Sequence, residues 1–219
     1  MRVALHGNPD AAEATISLEA GETFLAESGA MTRMSPTVDI TPRLTGGLLG
    51  SLGRKLFGGE SLVMGEYQAR QAGEVSISNT TPGTIVHRTL NDESLVLAAG
   101  AFIACSPDIK IRTRTHGLRQ LFSGSGAFVL ECSGRGDLIM GSFGSVIEKK
   151  VDGQFTVDTG HVFAWEPGLD YRIRGMGNLK STLLSGEGLV MDFSGNGTLW
   201  VQSRNLGSLA HWLNPFCRG

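Results

Sequence analysis

Charge is scarce in this 219-residue chain. Lysine, arginine, aspartate and glutamate make up 18% of it, and the formal net charge is −2. That balance excludes a general polyanion binder and confines any basic surface to a local patch. Cysteine is scarcer still. Cys105, Cys132 and Cys217 are odd in number and far apart, with no C-x-x-C pair. Zinc clusters and thioredoxin-like motifs are therefore excluded, and reduced thiols in a cytosolic chain are the expectation. Long apolar runs are also missing. The longest, LVLAAGAFIAC over 95–105, falls short of the ~20 residues that a membrane-spanning helix needs. The opening MRVALHGNPD lacks the apolar core of a secretion signal. A cytoplasmic location is expected, with peripheral membrane contact left open.

Catalytic motifs are missing as well. His6, His87, His116, His161 and His211 form no H-x-H or H-E-x-x-H arrangement, so a cupin-type metal centre has little support. Neither a G-x-S-x-G elbow nor a complete G-x-G-x-x-G occurs, and GxxxxGK[ST] is absent. No catalytic residue, metal or cofactor is assigned, and the chain is not expected to be an enzyme. The RGD at Arg135–Asp137 falls in an expected turn, not in an exposed adhesion loop.

What is present is glycine. Its 31 residues are about twice the ordinary share of ~7%. Without proline richness, that excess points to many tight turns between short strands. Three segments share one pattern: GETFLAESGAMTRMSP (21–36), ESLVLAAGAFIACSP (93–107) and GQFTVDTGHVFAWEP (153–167). Each has a short apolar strand, a small-residue turn ending in Gly29, Gly100 or Gly160, and a second strand ending near proline. The later halves agree too. SGAFVLECSGRGDLIM (125–140) matches GEGLVMDFSGNGTLWV (186–201), and both read as strand, S-G-x-G hairpin turn, strand. Three tandem units follow: 1–82, 83–143 and 144–219.

The first unit is longer. Its excess lies in GGLLGSLGRKLFGGE (46–60). At 100° per residue, Leu48, Leu49, Leu52 and Leu56 fall within a ~100° arc, with Arg54 opposite and Ser51 and Lys55 outside the arc. Residues 47–57 are expected to form a short amphipathic helix inserted in a β-hairpin. Its leucine face has three candidate partners: the protein's own sheet, a neighbouring subunit or a membrane surface.

GETFLAESGAM, GGLLGSLGRKLFGGESL, GHVFAWEP and FSGNGTLWVQSRN occur in that order along the chain. Together they resemble the bacterial and archaeal family related to the yeast altered-inheritance-of-mitochondria protein, formerly a domain of unknown function. The resemblance covers nearly the whole chain. It implies an all-β fold of three tandem units like the tryptophan RNA-binding attenuation protein, each a short double-stranded β-helix or β-sandwich. It also implies a homotrimer, a ring of nine such units. Mitochondrial relatives are associated with inner-membrane organisation. No catalytic residue carries over.

One side-chain pattern recurs across the units. DIKIRTRTH (108–116) alternates so that Lys110, Arg112, Arg114 and His116 share a strand face. DYRIR places Arg172 and Arg174 at the corresponding positions, and DITPR leaves only Arg43. Such a face serves either as a solvated surface that discourages edge aggregation or as a basic track for an anionic partner. The expected function is a non-enzymatic oligomeric binding or scaffold protein, touching anionic lipid, a membrane surface or another anionic partner. The alternative is an RNA-binding regulator, and an enzyme with an unrecognised pocket comes third. RNA binding needs aromatic platforms beside the track, where only Tyr171 lies.

Overall fold

The computed structural model describes residues 1–44, 63–98, 100–114, 129–175 and 189–217. The expected helix over 47–57 and its leucines Leu48, Leu49, Leu52 and Leu56 lie outside the described residues, as does His116. The described chain is all-β, with one short helix near its end. The strands are β1 (Arg2–His6), β2 (Glu13–Leu18), β3 (Thr23–Glu27), β4 (Met31–Met34), β5 (Val38–Leu44), β6 (Val63–Ala69), β7 (Gly73–Ser78) and β8 (Ile85–Ala98). They continue as β9 (Phe102–Cys105), β10 (Lys110–Arg114), β11 (Val129–Gly141), β12 (Val146–Asp158), β13 (Val162–Trp165), β14 (Leu169–Gly175) and β15 (Leu189–Gln202), and α1 (Leu206–Cys217) follows.

One sheet runs β1-β2-β7-β4. The larger runs β12-β15-β13-β8-β11-β9-β3-β6-β5, with β10 on β11 and β14 on β15. The pairing pattern recurs along the chain. β8 and β12 each take the place of β2 plus β3, and β11 and β15 each take the place of β6 plus β7. Apolar alternation buries one face of each ladder. The short strands FIAC and VFAW are buried on both faces, as continuous apolar runs between two layers should be. Phe24 stacks on Tyr67 at 4.7 Å between ring centres. At the other end of the chain, Trp165 meets Tyr171 and Phe193 edge-on at 5.2 and 5.4 Å.

The S-G-x-G segments correct the sequence reading. They are not hairpin turns: β11 and β15 run straight through them. Gly134 and Gly195 have φ of +126° and +120°, values that only glycine adopts at little cost. A Cβ on Gly134 would stand 2.7 Å from the Asp108 carbonyl oxygen, and one on Gly195 2.8 Å from that of Gly168. The glycines therefore mark the point in one long strand over which the turn leading into β10 or β14 passes closely. The register of β11 against β8 shifts between Gly134 and Arg135. Glycine signals a bulge here by the same conformational freedom that signals a turn elsewhere.

Main-chain pairing joins the recurring sets. Ala104 and Cys105 of β9 sit opposite Ala26 and Leu25 of β3. Ala164 and Trp165 of β13 sit opposite Leu97 and Val96 of β8.

Candidate functional site

The alternation of β10 and β14 places Lys110, Arg112 and Arg172 outward and exposed, while Ile111, Tyr171 and Ile173 face partly inward. The face is not purely basic. Glu131 of β11 lies directly opposite Arg112 and is gripped diagonally by Arg114, whose Nε donates to Oε2 at 2.9 Å while Nη2 stands 2.9 Å from Oε1. Asp192 of β15 lies opposite Arg172 and takes two hydrogen bonds from Arg174. Glu66 of β6, opposite Thr41, meets Arg43 at 3.5 Å. Three times, then, an acid on one strand is clasped by the arginine two residues beyond its direct partner.

That arrangement divides the expected track. Arg114 and Arg174 are committed to carboxylates. Among the described residues, Lys110, Arg112 and Arg172 form no ion pair. Hydrogen bonds from Arg174 and Thr156, larger in effect than the slight burial, hold the Asp192 carboxyl below the usual aspartate range. Tyr171 offers no stacking platform: its ring lies edge-on to Trp165, and its hydroxyl is buried without a hydrogen-bond partner.

Several other polar groups are held by internal contacts. His161 Nδ1 lies 2.8 Å from the Gln202 carbonyl oxygen, a structural bond at the start of β13. His87 Nε2 lies 2.8 Å from Asp137 Oδ1, to which Thr89 also donates. The RGD is consumed internally as well, because Arg135 pairs with Asp92 at 2.6 Å. Among the described residues, no three histidine, cysteine, aspartate or glutamate side chains come together to hold a metal ion. All three cysteines are free. Burial, and then the neighbouring Glu131, push the Cys132 thiol up to about 12. Burial raises Cys105 further.

Two features escaped the sequence reading. The first is a pair of open strand edges. β9 and β13 each pair on both sides, but among the described residues β4 pairs only with β7. Where FIAC and VFAW are buried, the corresponding Met31 and Met34 are 38% and 37% exposed. At the far end, the Gln154–Asp158 half of β12 pairs, among the described residues, only with β15, whereas the corresponding β3 and second half of β8 each carry a further strand.

The second feature is α1. Asn205 caps it, accepting hydrogen bonds from Gly207 N at 2.8 Å and Ser208 N at 3.3 Å, as a side-chain oxygen at that position does. Asn205 is itself tied to Asp158. At 100° per residue, Leu206, Leu209, Trp212, Leu213 and Phe216 share one side, with Ser208, His211 and Asn214 opposite. None of the helix is buried; Trp212 is 63% and Phe216 73% exposed. Cap and periodicity were both legible, but Pro215 in the last turn obscured them. No helix among the described residues is long and apolar enough to cross a membrane.

Comparison with known proteins agrees with this architecture. An uncharacterised protein of Streptococcus pyogenes serotype M6 is 31% identical over 210 residues, covering 92% of this chain and 85% of its own. A crystal structure of a Streptococcus pyogenes protein superposes with a TM-score of 0.83 at 30% identity, over 98% of this chain and 99% of its own. The family model described as mitochondrial biogenesis AIM24 matches residues 3–204, and the chain belongs to that family.

Proposed function

We propose that this protein is a cytoplasmic, non-enzymatic scaffold: a homotrimer whose three chains close head to tail into a ring of nine TRAP-like units. The observation that carries this reading is the pair of complementary open edges. Unpaired strand edges invite another chain, and cyclic closure satisfies such head-to-tail contacts without a free end.

The junctions within the chain supply a register. Ala104 and Ala164 lie four residues past Gly100 and Gly160, as Arg33 lies four past Gly29. Their partners, Ala26 and Leu97, lie three residues before Gly29 and Gly100, as Val157 lies three before Gly160. The same pairing between copies sets Val157 opposite Arg33 of the next copy, and Thr156 opposite its Met34. Met31 and Met34 then become buried, as the corresponding residues of β9 and β13 are.

The ring repeats Lys110, Arg112 and Arg172 three times over and gathers a local charge into a basic surface on a near-neutral protein. Its ligand in this reading is an anionic surface such as acidic lipid. The inward-turned Tyr171 speaks against single-stranded RNA.

Sedimentation tests the reading. The protein should run as a trimer at micromolar concentration. Met31→Lys with Met34→Lys should yield a folded monomer, since both side chains are exposed in the lone chain. A monomeric parent protein, or an unchanged trimer in the double variant, would overturn the edge pairing. The trimer should also bind anionic vesicles with a steep salt dependence, lost in Lys110→Ala, Arg112→Ala, Arg172→Ala. Failure to bind would reduce the basic face to a solvated surface.

A further inference from the structure

Within the chain, the segments that begin successive units lie side by side. Ala12 N donates to the Gly83 carbonyl at 3.0 Å. Gly83 forms a parallel bridge with Gly144, and Thr84 N donates to the Gly144 carbonyl at 3.0 Å. Gly144 stands three residues past Gly141, the end of β11, and Asn205 stands three past Gln202, the end of β15. Asn205 is therefore where the next unit would begin. In a closed ring, that position meets the start of the first unit of the next copy, around its Ala12.

On the ring reading, β2 of the next copy would fill the path of a further strand there. The polypeptide turns aside into α1 instead. The nearest element of the next copy is the one that precedes its Ala12: the turn Gly7–Ala11 and, before it, β1. Among the described residues that strand pairs only with β2, and its Leu5 is 37% exposed.

Resting on the ring reading, we infer that α1 is an intersubunit clasp whose apolar side, Leu206, Trp212, Leu213 and Phe216, docks on β1 and Leu5 of the next copy in the ring. Three observations select a second copy over other occupants. The helix starts at the junction position, tied through Asn205 to Asp158 at the end of the open β12 edge. Its polar side, Ser208, His211 and Asn214, contains no lysine or arginine, whereas helices that lie on anionic membranes line that side with them. Its exposed residues include a tryptophan and a phenylalanine, types that anchor protein interfaces. The helix also lies beyond residues 3–204 that the family model matches, so it adds to the edge pairing and does not replace it.

The test uses the full chain and two opposing variants, Trp212→Ser with Phe216→Ser on the helix and Leu5→Asp on the strand. Every altered side chain is exposed in the lone chain, so folding is preserved, as circular dichroism will verify. Sedimentation equilibrium should show each variant weakening trimer association at least tenfold. A trimer whose association is unchanged in both variants would overturn the clasp and leave the ring intact. A parent protein that is monomeric would overturn ring and clasp together. Flotation with neutral phosphatidylcholine vesicles by the parent trimer, lost in the helix variant, would assign the helix to lipid and overturn the clasp as well.

Discussion

Arg174 clasps Asp192 across β14 and β15 with two hydrogen bonds, Nε to Oδ2 at 2.5 Å and Nη2 to Oδ1 at 3.1 Å. The same diagonal joins Arg114 to Glu131 and Arg43 to Glu66. The recurrence shows that the register of the outer ladders is conserved between units whose sequences have diverged. It also shows why counting cations along β10 and β14 overstates their charge: the opposing strand supplies the acids.

This clasp has a pH signature. The folded-state Asp192 carboxyl titrates below its unfolded value, so its stabilisation is complete above the ordinary aspartate range and disappears as pH falls through the depressed folded value. Urea denaturation at pH 7 and pH 3 should show Asp192→Asn losing less stability on acidification than the parent protein. An equal loss in both would remove the clasp from the acid response.

The glycines within the long strands make a sharper mutational contrast. Gly134→Ala and Gly195→Ala force a side chain into positive φ and against a carbonyl oxygen under 3 Å away. Each should cost roughly 2–4 kcal/mol, the sum of backbone strain and displacement. Gly153→Ala, at φ +96° with nothing within 4 Å, should cost only about 1 kcal/mol. Chemical denaturation of the three variants measures the difference.

Trp165 and Tyr171 predict opposite outcomes in one cluster. Trp165→Ala removes a fully buried ring and should lower stability by about 3–5 kcal/mol. Tyr171→Phe deletes a buried hydroxyl without a partner and should raise stability by about 1 kcal/mol, because an unsatisfied buried donor is costly. Thermal or urea unfolding reads both.

The thiols should separate by burial. At pH 8, iodoacetamide should modify Cys217, which is exposed, and leave Cys105 and Cys132 untouched in the native state. Both buried thiols resist deprotonation at that pH, and the thiolate is the reactive form. Mass spectrometry should find one adduct per native chain and three after denaturation.

Much of the architecture was legible because glycine and apolar alternation report backbone geometry directly. Gly29 and Gly100 adopt positive φ, in keeping with the turns read from their motifs. GRG and GNG misled because a long strand crossed closely by another segment can demand the same positive φ as a turn, and only the partner strand decides between them. The basic face was half legible. Alternation put Lys110, Arg112, Arg114, Arg172 and Arg174 on one face, but Glu131 and Asp192 lie 17 and 18 residues beyond the arginines that clasp them and reach that face only by pairing. The open edges were invisible in MTRM, which reads like any short strand until its missing neighbour is seen.

The ladders between β3 and β9 and between β8 and β13 have a consequence for how such a chain can change. Units joined by main-chain hydrogen bonds are not beads on a string. Cutting out the middle third would tear two seams and bare the backbone on both sides, so one unit cannot be lost or copied alone without leaving a raw flank. Variation is tolerated where no seam runs, in the loops between strands.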